Sequence, residues 1–117
     1  MFRESSIRLL HYATGVLIAV FGAVHLATHS FLGVEGYADS LRYLSVIGRY
    51  KDPLFAFTLE ALLVTVAYHG LNGTRVILLE FRQGERWDRV VTWLLVAVGI
   101  LVVAYGTRTV LGVYFLG

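Results

Sequence analysis

The chain has 117 residues, 57% of them hydrophobic, and a mean hydropathy of +0.70, values that exclude an ordinary soluble domain and point to one small membrane unit. Its formal charge of +2 comes from basic residues clustered beside apolar runs, where lipid headgroups account for them, so nucleic acid is set aside as a partner. The absence of cysteine excludes disulfides, thiolate zinc sites, iron–sulfur ligation and thiol nucleophiles within this chain. Any metal must be held by histidine, carboxylate or another oxygen ligand.

The first candidate span has no Asp, Glu, Lys or Arg from Leu9 to Val34. Those 26 residues would reach roughly 39 Å as a helix, against about 30 Å of hydrocarbon, so a helix over about 7–32 is expected to tilt or overhang. Its apolar run is longer than a signal-peptide core and no small-residue cleavage site follows, so the segment is expected to stay in the protein. Residues 33–53 form a loop between spans. Within it Leu41, Leu44 and Ile47 recur at helical spacing and predict a short helix.

The second span, about 54–82, starts after Asp52 and Pro53, a helix-opening pair. It is uncharged only from Ala61 to Thr74; Glu60, Arg75 and Glu80 must therefore face protein or snorkel. The third span, about 88–114, is uncharged from Val90 to Thr107 and continues past Arg108. Three short strands could not close a barrel, so the fold class expected is an all-α membrane protein with three transmembrane helices in a single domain, 1–117. Arg3, Arg8, Arg82, Arg86 and Arg89 lie on one side, and Arg42, Arg49 and Lys51 on the other. The positive-inside rule then places the N-terminus in the cytoplasm, with the protein multi-pass in the inner (plasma) membrane. Small residues along the first span, Gly15, Ala19, Gly22, Ala23 and Ala27, offer close-packing faces and suggest a larger bundle.

Ionisable groups inside a bilayer are costly, which makes each histidine a functional candidate. His11 and His29 lie near the ends of the first span, where hydrogen bonding to a carbonyl or a neighbouring helix is reason enough for them. His25 ("GAVHLAT") and His69 ("VAYHGLNG") lie well inside their spans among small residues. Imidazole is a good axial ligand for haem iron, and the porphyrin is an apolar plate suited to such surroundings. Gly70 and Gly73 beside His69, and Gly22 one turn before His25, would supply room. Arg75, six residues past His69, is placed to meet a propionate or a neighbouring carboxylate. A structural polar network and a proton path are the other readings of these residues.

The second span, "LLVTVAYHGLNGTRVILLEF", resembles that of the cytochrome b membrane-anchor subunits of succinate dehydrogenase and fumarate reductase, the complex II family. In that family an axial His is followed by Gly at the fourth place, Arg at the sixth and an acidic residue at the eleventh; here these are His69, Gly73, Arg75 and Glu80. The first span is similar too, with "ATG" and then, ten residues after Gly15, His25 in the place of a haem-ligating His. The resemblance implies an electron relay from an iron–sulfur subunit, itself docked with a flavoprotein subunit that oxidises succinate, to quinone. It also implies a second small anchor subunit, so that this chain is half of a heterodimeric haem-binding bundle. His25 and His69 would then ligate two separate b haems, each completed by a histidine of that subunit.

His29, one turn past His25, is an alternative ligand or propionate partner. At the start of the first span the family's one-haem members carry Ser and Arg near the quinone, where this chain has Arg8 and Tyr12. Arg8, Tyr12 and His11 are therefore candidates for quinone or propionate contacts, and interfacial anchoring is the other account of Arg8 and Tyr12. Two different functions also fit the residues: a cytochrome b subunit of a formate dehydrogenase or hydrogenase, or a haemless structural anchor.

Overall fold

The computed structural model describes residues 3–30 and 41–116, with side chains for 3–27 and 41–116. Four helices follow in order: α1 (Glu4–Ser30), α2 (Tyr43–Tyr50), α3 (Pro53–Phe81) and α4 (Glu85–Leu116). Among the described residues there is no strand. α1, α3 and α4 are each long and apolar enough to cross a membrane, which gives the all-helical, three-span architecture expected from hydropathy. α2 is the short helix that the spacing of Leu41, Leu44 and Ile47 predicts. His29 lies in α1 but outside the described side chains, and the first half of the loop, 31–40, lies outside the described residues.

Local chemistry sets the ends of α3. Asp52 caps its N-terminus by accepting from the Leu54 amide at 3.0 Å, with Pro53 in the first turn, where a missing N–H costs nothing. At the far end the chain turns through Gly84, whose φ of +129° is open to glycine and strained for other residues. Trp87 then donates its indole N–H to the Leu78 carbonyl at 2.9 Å, with the Arg82 guanidinium 5.7 Å from its ring, tying the start of α4 to the end of α3.

α3 is the central helix, and α1 and α4 each pack antiparallel along it. On the α1 side Ile7 meets Tyr68, Thr14 meets His69, Phe21 meets Phe57 and His25 meets Phe55. On the α4 side two glycines seven residues apart admit leucine side chains. A Cβ added at Gly106 would stand 2.6 Å from Leu63 Cδ2, and one at Gly99 would stand 3.0 Å from Leu71 Cδ1. Close helix approach through small residues is the main source of packing energy in lipid, where hydrophobic burial between helices contributes little. Gly106→Ala is therefore expected to destabilise the bundle by about 1–2 kcal/mol, read as a lower melting temperature in detergent. Adding Leu63→Ala should restore part of the loss, and equal melting of Gly106→Ala and wild type would contradict this packing.

The small residues of α1 behave differently. Gly15 packs against His69, whereas Ala19 and Ala23 are exposed and no atom lies within 4 Å of a Cβ built at Gly22. Much of α1, including Leu9, Val16 and Val20, is likewise exposed. This face is open to lipid or to further helices.

Candidate functional site

His69 sits where α3 faces the first half of α1. Its Nδ1 is 3.0 Å from the His11 carbonyl oxygen and 3.2 Å from Thr14 Oγ1. The Thr14 hydroxyl donates its own hydrogen to the same His11 carbonyl at 2.9 Å. Both neighbours of Nδ1 are therefore acceptors, so Nδ1 carries the proton. In its neutral form the ring is therefore the Nδ1–H tautomer, which leaves the Nε2 lone pair to bind. Fixing one imidazole nitrogen on a carbonyl is how proteins orient metal-ligating histidines.

The ring plane is fixed as well. His11 stacks on His69 with centroids 3.9 Å apart and planes 13° from parallel, and the Asn72 amide nitrogen donates to His11 Nδ1 at 3.1 Å. With Nδ1 accepting, the His11 proton lies on Nε2, the opposite arrangement to that of the His69 ring. Gly15 lies beneath the pair: a Cβ there would stand 3.3 Å from His69 Cε1, while Gly70 has open space to 4 Å. Asn72 thus bonds another helix. Thr14 and the His11 carbonyl were not foreseen; the antiparallel register that brings them to His69 leaves no mark in either helix alone.

His25 is half-buried against Phe55, with ring centroids 6.1 Å apart. Between the levels of the two histidines lie 11 residues of α1, Thr14 to His25, and 14 of α3, Phe55 to His69, a separation of about 16–21 Å along the helices. The two rings cannot meet on one metal ion. Among the described residues no three His, Asp or Glu side chains converge as ligands for a bare ion either.

Arg75 is buried near the arginine-rich end and joins all three long helices. Its Nη2 donates to Glu4 of α1 at 3.1 Å and to Asp88 of α4 at 2.9 Å, and its Nε to Thr92 at 2.9 Å. Thr92 passes its own hydrogen to Asp88, also at 2.9 Å. Of the two partners considered for Arg75, propionate or carboxylate, the structure supplies carboxylates. Neither is Glu80, the acid of the sequence motif, which is exposed. Glu60 lies half-buried between α3 and α4 and accepts a 2.5 Å hydrogen bond from Thr107.

Arg8 and Tyr12 are exposed on α1. The Tyr12 ring stands edge-on to His11 at 6.4 Å.

Comparison with known proteins places this arrangement. Residues 5–113 match the family model described as succinate dehydrogenase/fumarate reductase transmembrane subunit. The chain is 33% identical over 92 residues to the succinate dehydrogenase 2 membrane subunit SdhC of Mycobacterium tuberculosis, a match covering 78% of this chain and 65% of the relative. It is 33% identical over 103 residues to a succinate dehydrogenase hydrophobic membrane anchor subunit of Archaeoglobus fulgidus, covering 84% of this chain and 80% of that protein. The chain thus spans slightly less than two thirds of the mycobacterial relative and four fifths of the archaeal one. With three apolar spans and a family match along nearly its whole length, the chain belongs to the succinate dehydrogenase/fumarate reductase transmembrane subunit family.

Proposed function

We propose that this chain is the haem-binding membrane anchor of a succinate:quinone oxidoreductase. In this reading His69 and His25 each ligate one b haem, completed by a second small anchor subunit, and electrons pass between an iron–sulfur subunit and quinone. The observation that carries the reading is the hydrogen bonding of His69: a ring whose Nδ1–H is held on a carbonyl presents Nε2 as the nitrogen that can donate a lone pair to iron. Haem would supply a one-electron carrier inside the membrane; the protein would supply the axial nitrogen and its orientation. Open space beside Gly70 and Gly22 suits a flat ligand next to each histidine. The separation of the two levels favours two groups over one shared group, and the exposed face of α1 suits a second anchor.

The same reading places the arginine-rich end, with Arg3, Arg8, Arg82, Arg86 and Arg89, in the cytoplasm. The iron–sulfur and flavoprotein subunits would dock there, and Arg8, Tyr12 and His11 are the residues of this chain nearest a quinone bound at that surface. Family membership favours this partnership over a formate dehydrogenase or hydrogenase. The test is a reduced-minus-oxidised spectrum and an iron count on the complex purified through this chain. Two b-type haems per copy are expected beyond the iron–sulfur and flavin signals. A fully assembled complex without a haem band would leave a structural anchor and reject the relay.

A further inference from the structure

A groove of about 690 Å³ opens on the face of α3 between α1 and α4. Ile7 and Leu10 of α1, Val64 and Leu71 of α3, and Val96 and Ala104 of α4 form its apolar walls, and Arg75 and Thr92 close one end. His69 lies roughly 130° around α3 from the middle of this stripe, facing α1, so the groove is distinct from the proposed haem ligand.

Its dimensions limit what enters. From Thr92 to Ala104 the groove runs about 18 Å along α4, comparable to the ~15 Å of one leaflet's hydrocarbon. Dividing the 690 Å³ by that length leaves a cross-section of about 40 Å², room for an extended hydrocarbon chain. The mouth favours a negative head. The exposed Arg3, Arg86 and Arg89 lie at the starts of α1 and α4 and outnumber Glu85, the one acid there that Arg75 does not engage, since Glu4 and Asp88 are both held by Arg75. Two helix N-termini add partial positive charge at the same end.

We infer that the groove holds one acyl chain of an anionic phospholipid from the leaflet at the arginine-rich side, with its phosphate among these arginines. The inference does not depend on haem. It is tested on the intact complex after extensive detergent washing, by counting retained phospholipid with native mass spectrometry and phosphorus analysis. Wild type is expected to keep one anionic phospholipid per chain that Ala104→Phe, which fills the groove, loses. Leu101→Phe, on the exposed side of α4, should keep it. A paired Arg86→Gln and Arg89→Gln variant should shift the retained lipid from phosphatidylglycerol toward phosphatidylethanolamine.

Should Ala104→Phe fail to assemble, phosphatidylglycerol carrying a diazirine in its acyl chain can be photolysed in wild-type membranes. Labelling should then concentrate on Val96 and Ala104 over Leu101. Equal phospholipid in all variants, labelling spread evenly around α4, or a quinone retained in place of phospholipid would each overturn the assignment.

Discussion

Replacing His69 with alanine is expected to remove one of the two b-type bands of the complex while leaving the band assigned to His25. Alanine deletes the lone pair and removes the Nδ1–H that the His11 carbonyl and Thr14 Oγ1 both accept, leaving the carbonyl with the Thr14 hydroxyl alone among side-chain donors. Because the substitution opens space the size of an imidazole, added imidazole should restore part of the band, a rescue that a merely structural histidine would not allow. His25→Ala should remove the complementary band. Thr14→Val tests the orientation separately. It removes one acceptor from Nδ1–H, lowers the basicity of the ligand and so favours ferrous iron, raising the midpoint potential by up to about 60 mV. Gly15→Ala pushes a methyl to 3.3 Å from His69 Cε1 and should lower haem retention without abolishing it. An unchanged spectrum in His69→Ala would end the case for this ligand.

How far this site could be read in advance follows from which residues stand out against their surroundings. A histidine and an arginine inside an apolar run are conspicuous because lipid tolerates neither without a reason, and hydropathy marks the three spans by length alone. Asp52 and Pro53 announce the start of α3 through a capping chemistry confined to adjacent residues. The partners of these groups were less visible. Glu4 and Asp88 occupy first helical turns, where acids are favoured by the helix dipole in any case, so nothing in their position singled them out for Arg75. Glu80, which did match a motif, is exposed instead. Gly99 and Gly106 sit in the most uniformly apolar span, where their seven-residue spacing is a packing signal no stronger on its face than the small residues of the first span. In each case the missing element was the register between antiparallel helices, which depends on both faces together and on a turn such as that at Gly84.

Arg75→Gln is expected to loosen the end of the bundle more than any other single charge removal there. The guanidinium side chain is only 10% exposed, while Glu4 and Asp88 are 62% and 46% exposed, so the arginine is the buried member of the cluster and its carboxylates sit at the edge of water. Removing one partner of a fully buried pair costs about 3–5 kcal/mol; with both acids partly solvated the expected loss is nearer 2–3 kcal/mol. Glu4→Gln should cost less than about 1 kcal/mol, because that acid keeps most of its hydration. Asp88→Asn should fall between, since Asp88 accepts from both Arg75 and Thr92. Arg75→Lys keeps the charge but cannot serve Thr92, Glu4 and Asp88 from one planar fork, and should also be intermediate. Thermal melting of the purified complex, with proteolysis of the α1 N-terminus as a local probe, would order the four variants. An Arg75→Lys complex that melts like wild type, or a Glu4→Gln loss as large as that of Arg75→Gln, would show that the three helices are not held at this end by the arginine fork. The clamp also separates from any propionate role: if holding α1 and α4 is what Arg75 does, release of the α1 N-terminus should precede haem loss as temperature rises, whereas a propionate contact would bring both changes together.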